Sequence, residues 1–330
     1  MKMANILSMI CKKECEITGK STEYLDKYLF PFEKPDSSKE GYFKLVLSFG
    51  KCLQDDKYLS SIVFPVDMKY LEVKLHNDLR VYNLTFTDED EVNLNKKITD
   101  TIPLHIEYLK CKNWTPVRFN QFTQLKTLII EDNYSDNYSD NDNNFELRFY
   151  ALPESLIRLE LFIEGYDSKL DNLSPNLKYL LIDVMCGDQY ANGYSHPLDN
   201  LPHSLEVLYF PETCFYNGER YSGNLYNLPS GLKYLYLPEH ISVETDYNNL
   251  PDSLEIIEFD DYPKIVENID RYQGSLKKIY SNMWYSNDDK NAKQYEKVNK
   301  KIKSLNLEGK FDIYYRIKPL QNTKFEYFKY

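Results

Sequence analysis

One pattern of apolar and polar positions recurs along the middle of the chain. Leu152-Pro-Glu-Ser-Leu156-Ile-Arg-Leu159-Glu-Leu161 sets it, and residues 201–210, 228–237 and 250–259 repeat it. Residues 173–182 fit with the proline moved by one, and 272–279 form a weaker copy. Upstream, Leu125, Leu128 and Ile130, then Ile106, Leu109 and Cys111, then Met68, Leu71 and Val73 hold the same spacing. Downstream, Ile302, Leu305 and Leu307 read as a last unit. With the first leucine as position one, positions eight and ten alternate, so in a strand both point to one face. Position five joins them one turn earlier. Proline at position two has no N–H to give and suits a corner, and Ser, Asn or Gly at position four suits the turn into the strand. The pattern predicts one short strand per unit, each buried only when its neighbours stack against it.

Position five falls at residues 106, 125, 156, 177, 205, 232, 254, 276 and 302, in steps of 19, 31, 21, 28, 27, 22, 22 and 26 residues. Leucine-rich repeats run at roughly 20–29 residues. The 31-residue step holds Tyr-Ser-Asp-Asn-Tyr-Ser-Asp-Asn at 134–141, a polar insertion expected to be a mobile loop. The stretches 183–200 and 211–227 are rich in Gly, Asn, Asp and Tyr and show no helical period. The expected fold is a leucine-rich repeat solenoid: a curved parallel β-sheet, a mostly irregular convex side and few helices. The array should span 61–285, between an N-terminal cap over 1–60 and a C-terminal cap over 286–330. Within the first cap Ser21 can start a short helix that Pro31 ends, and 42–49 and 58–64 alternate like strands. In the second, 289–303 fits a helix, 311–318 a strand, and the aromatic tail 325–330 can close the array.

The motif resembles leucine-rich repeats of the Leu-Pro-x-x-Leu-x-x-Leu-x-Leu type, found in bacterial effectors, in FNIP-repeat proteins of social amoebae and in amoeba-infecting giant viruses. The irregular spacing is most similar to the last group, which implies a protein-binding scaffold and, for a viral chain, a host factor as partner in the host cytoplasm. Two features depart from these families. The Phe-Asn-x-x-Ile signature is absent, and the asparagine usual three residues past position ten stands only at Asn133. The convex side must then be held by something other than that asparagine ladder.

Charge narrows the partner. The chain holds 40 Lys and Arg against 51 Asp and Glu, a net −11, which repels phosphate and argues against nucleic acid. The most basic stretch, 290–303, reads as a solvated face. No run of about 20 apolar residues is present to span a membrane, and 1–11 is too short for a secretory core, so a cytoplasmic location is expected and the six cysteines should be reduced. Cys111, at position ten, reads as a small core residue.

The five histidines are scattered and none has a metal-ligand spacing; Cys11 and Cys15 lack a second pair. No phosphate loop or nucleophile elbow occurs. No cofactor, metal or catalytic residue is therefore assigned, and an enzyme is not expected. If positions eight and ten face inward, seven and nine face out on the concave sheet. There Tyr179, Leu181, Val207, Tyr209, Tyr234 and Tyr236 should form one exposed aromatic and aliphatic patch, with Arg158, Lys278 and Tyr280 on the flanks. Tyrosine favours strands and is abundant here, with 30 copies; read functionally, the patch is a partner-binding surface. The competing function is substrate recognition within a ubiquitin ligase, which needs a helical F-box-like bundle in 1–60.

Overall fold

In the computed structural model the described residues are 40–48, 51–52, 57–76, 88–116, 118–132, 152–164, 169–185, 196–210, 225, 227–237, 250–259, 276–283, 300, 312–317 and 326–329. They form one open sheet whose strands lie in chain order. The strands are β1 (Tyr42–Ser48), β2 (Tyr70–His76), β3 (Tyr108–Lys112), β4 (Thr127–Asp132), β5 (Arg158–Glu164), β6 (Tyr179–Met185), β7 (Val207–Tyr209), β8 (Tyr234–Leu237), β9 (Ile256–Phe259), β10 (Lys278–Met283), β11 (Asp312–Ile317) and β12 (Glu326–Lys329). Every pair from β1 to β11 is parallel, and β12 closes the row antiparallel, with Tyr315 opposite Phe328. Repeated parallel strands with few helices are what a repeat solenoid requires.

The register never slips. Position seven is Tyr42, Tyr70, Tyr108, Thr127, Arg158, Tyr179, Val207, Tyr234, Ile256, Lys278 and Asp312, each opposite the next. Positions eight and ten therefore stack into rows. Leu71, Leu109, Leu128, Leu159, Leu180, Leu208, Leu235 and Ile257 are buried in a single core with position five of each unit. Each such leucine contributes about 1.5–3 kcal/mol of burial, and only because a unit on either side covers it.

Two features of the turn before each strand explain the constant register. The N–H of position five donates to the carbonyl of position two, at 3.0 Å in Leu156→Pro153, Leu205→Pro202, Leu232→Pro229 and Leu254→Pro251. The proline is thus an acceptor only, and its missing N–H leaves no gap. The carbonyl of position six then accepts two N–H groups from the following unit: Lys178 O takes those of Glu206 and Val207, and Glu206 O those of Lys233 and Tyr234, all at 2.8–3.0 Å. In the sequence Pro211 stands two residues after β7 and Pro238 directly after β8, and a proline has no N–H to donate to a ladder.

The ends follow expectation in part: the strands expected over 42–49 and 311–318 appear as β1 and β11. β1 shares the register, so among the described residues the row of strands starts at Tyr42. Residues 58–64 form no strand: Leu59–Ser61 is a 3-10 turn closed by Ser60 and Ser61 hydroxyls on Lys57 O and Tyr58 O. Its alternating Tyr58, Ile62 and Phe64 pack against the core instead. Helix α1 (Asp88–Thr101) lies between β2 and β3, where none was foreseen. Leu94, Ile98 and Ile102 bury one side of it and its end, and Pro103 disfavours helical geometry at Ile102. Gln121 donates to the Thr99 carbonyl near its C-terminal end at 3.3 Å. Past β3, Asn113 takes a positive φ of 59°, open to asparagine, and Trp114 donates its indole N–H to Val73 O at 3.0 Å. At the C-terminal end the strand paired with β10 is Asp312–Ile317; Ile302, Leu305 and Leu307, read as a last unit, lie outside the described residues. The helices expected near 21–30 and 289–303 and the loop at 134–141 also lie outside them, residue 300 excepted.

Candidate functional site: the tyrosine face of the sheet

Positions seven and nine occupy the face opposite the leucine core, where the aromatic patch was expected. The expected neighbours do meet. Tyr179, Val207 and Tyr234 are consecutive in one row, and Leu181, Tyr209 and Tyr236 in the next. The Tyr209 and Tyr236 rings stack with centroids 4.3 Å apart, and Tyr209 lies nearly parallel to Tyr234 at 6.5 Å. Arg158 places its guanidinium 4.0 Å from the Tyr179 ring centre. Lys278 and Tyr280 follow on β10, opposite Ile256 and Glu258.

The expected exposure is overturned. Tyr179, Leu181, Val207, Tyr209, Tyr234 and Tyr236 are all buried, none more than 5% exposed. Arg158 is buried too, at 1%. Strand alternation decides which face a side chain takes; it does not decide whether water lies over that face. These apolar residues stand outside the leucine core, so the middle of the sheet is buried on both sides.

A charged pair is embedded there. Arg158 Nε donates to Glu160 Oε1 at 2.7 Å, and Glu160 is fully buried. Burial works against the charge on Arg158, yet Glu160 and the Tyr179 ring beside it raise its pKa above the ordinary arginine value. Arg158 Nη1 has no hydrogen-bond partner. Buried charges persist when paired, and this pair was legible as an Arg-x-Glu on the outward positions of one strand.

Toward β1 the same face opens and becomes polar. Tyr42 donates to Glu72 at 2.7 Å, Lys44 reaches the same carboxylate at 2.8 Å, and Lys110 and Lys112 meet Glu131. Burial raises the Tyr42 pKa, with help from Glu72. Burial opposes the Glu72 charge, but Lys44 and Tyr42 hold its carboxyl below the usual range. Lys44 is half exposed and Glu72 much less so; Tyr70 and Lys74 are partly exposed, and Tyr70 meets Tyr108 edge-on at 6.4 Å. This row of tyrosines and charges was not singled out from the sequence, because the motif is faintest in these units.

At the rim, position six carries Lys69, Glu107, Lys126, Ile157, Lys178, Glu206, Lys233, Glu255 and Lys277, alternating in sign except at Ile157. Glu107 sits between Lys126 at 2.7 Å and Lys69 at 3.4 Å, and Glu206 between Lys233 at 2.6 Å and Lys178 at 3.1 Å. Position four supplies a second ladder: Ser155, Ser204 and Ser253 each donate to the position-five carbonyl of the preceding unit at 2.7–2.8 Å. A third runs just before position one, where Asn200 donates to Asp171 and Asn227 to Asp199. These ladders tie neighbouring units together along the edge from which the strands begin. Cys111 is buried as expected, and burial pushes its thiol pKa up. Among the described residues no cluster of His, Cys, Asp or Glu is placed to hold a metal, and no helix is long and apolar enough to cross a membrane. The chain matches no protein-family model, no curated protein and no solved structure.

Proposed function

We propose that this protein is a leucine-rich repeat solenoid of the Leu-Pro-x-x-Leu-x-x-Leu-x-Leu type that works as a non-enzymatic scaffold, holding a protein partner on the tyrosine face. The observation that carries the reading is the open end of that face over β1 and β2. Tyr42, Tyr70, Lys44 and Lys74 stand there partly exposed in adjacent strands. Tyrosine offers a large rigid contact with a polar tip, and long charged side chains around it give specificity and steering. Excess negative charge elsewhere favours a protein over nucleic acid as the partner. The central residues first assigned to binding, Tyr179 to Tyr236, are replaced in this reading as the primary contact, because they are covered. A ubiquitin-ligase adaptor is not favoured: of the region that would hold its helical bundle, described residues include strand β1 and a 3-10 turn.

The test compares partner capture by three full-length proteins of equal urea midpoint: the wild type, a Tyr70→Ala/Lys74→Glu variant, and a control, Lys96→Glu, on the exposed side of α1. The reading expects proteins captured by the wild type and the control to be lost, about tenfold or more, by the double variant. Equal capture by all three contradicts it.

A further inference from the structure

Across the sheet, neighbouring units set opposite charges side by side. At the rim Lys69, Glu107 and Lys126 alternate, as do Lys178, Glu206 and Lys233. On the tyrosine face Lys44, Glu72 and Lys110 alternate in register over β1, β2 and β3. One cross-strand pair of the described strands sets like charges opposite each other: Lys74 of β2 and Lys112 of β3. We infer that this pair receives carboxylates, so that the scaffold's partner docks with an acidic, extended segment of its chain that also carries an apolar side chain. This rests on the scaffold reading above and names the chemistry of its partner.

Like charges directly opposite each other destabilise a sheet, and the nearby carboxylates do not remove the surplus. Glu131 lies 3.5 Å from Lys112 but also takes Lys110, and Glu72 takes Lys44. Among the described residues no carboxylate is paired with Lys74. From position seven to position eleven, Lys44, Lys74, Lys110 and Lys112 thus stand against Glu72 and Glu131 alone, on a chain whose net charge is −11. A carboxylate set between the ammonium groups of Lys74 and Lys112 removes their repulsion. Binding is then favoured by relief of a cost already present in the free protein.

The pair is open to solvent. Lys74 is partly exposed, and so is the Lys112 side chain. On the other side of Lys74, in the same row, stands Val46 of β1, 53% exposed. Val46, Lys74 and Lys112 form a line across three strands, about 10 Å long, apolar at one end and cationic at the other. Tyr42 and Tyr70 lie partly exposed at position seven of the same two strands. A short segment with neighbouring carboxylates and one aliphatic or aromatic side chain matches that line. A nucleic-acid strand matches it less well. The described cations of the patch are lysines, which act as point charges, rather than the arginine forks that suit phosphate, and the acidic remainder of the chain repels a long polyanion.

The experiment pans a library of short random peptides against the full-length protein, then measures the enriched peptides by fluorescence anisotropy. The proteins compared are the wild type, Lys74→Glu, Lys74→Gln, Tyr70→Ala and the control Lys96→Glu, each checked for an unchanged urea midpoint. The inference expects enriched peptides with a net charge of about −3 or below. They should bind Lys74→Glu about tenfold more weakly, Lys74→Gln less weakly than that, and Lys96→Glu as they bind the wild type. Raising the salt from roughly 0.05 to 0.5 M should weaken them several-fold. Neutral or basic peptides that are weakened by Tyr70→Ala would overturn the inference and leave the scaffold reading standing. Peptides indifferent to both Lys74→Glu and Tyr70→Ala would overturn both. No enrichment, or tighter binding of a single-stranded oligonucleotide than of any peptide, would overturn the inference, and the capture comparison above would still decide the scaffold reading.

Discussion

Arg158 and Glu160 stand two residues apart on β5, neither in contact with water. Their attraction offsets the cost of removing two charges from solvent, so the loss of one partner should be worse than the loss of both. Arg158→Met takes the paired cation from a buried carboxylate and should lower stability by about 3–5 kcal/mol. Arg158→Met/Glu160→Leu should recover most of that, since a packed apolar pair is often as stable as a buried ion pair. Urea denaturation checks this; equal destabilisation by the single and double variants would show that the charges do not compensate each other. The sequence displayed this pair without displaying its burial. The missed clue lies in Tyr179-Leu-Leu-Ile182, Val207-Leu-Tyr-Phe210 and Tyr234-Leu-Tyr-Leu237. These are continuous apolar runs, the mark of parallel strands covered on both faces, whereas a solvated face should alternate with polar residues.

At the scale of the turn and strand, the repeat depends on small polar residues as much as on leucine. Ser204 donates both to Pro175 O and to Leu177 O. The corresponding residue in the next unit is Gly231, where a Cβ would lie 3.1 Å from His203 O and 3.8 Å from Leu205 O. Those two carbonyls are the counterparts of the ones Ser204 serves. Gly231→Ser should therefore extend the ladder and reduce the freedom of the unfolded chain, raising stability by about 0.5–1.5 kcal/mol. A lowered urea midpoint would mean that the tight approach to His203 O outweighs the gained bond. The leucines, the proline corner and the strand positions were legible because each is set by burial or backbone chemistry within one unit. Serine at position four was read only as a turn former, because its partner belongs to the preceding unit. The Asn-to-Asp links before position one were legible in principle, as Asn172, Asn200, Asn227 and Asn249 all precede that leucine.

For the whole molecule, stability should be the sum of small units and the interfaces between them, which makes the unbroken register its organising feature. Helix α1 escaped the sequence reading because its apolar spacing of four, at Leu94, Ile98 and Ile102, lies in a stretch where the strand motif was being sought. The open tyrosine row of β1 and β2 escaped for a related reason: the leucine pattern is incomplete there, and only pairing with β2 reveals β1 as a member of the row. Register can be measured directly with paired cysteines. Position-six residues of neighbouring units lie about 4.8 Å apart across the sheet, within the Cα range of a disulfide, and those two units apart lie near 10 Å, outside it. On mild oxidation, with products mapped by mass spectrometry, Lys178→Cys/Glu206→Cys should cross-link within the chain nearly to completion, and Lys178→Cys/Lys233→Cys should not. Failure of the first pair, or equal yields from both, would contradict the parallel stack of repeats from which the rest follows.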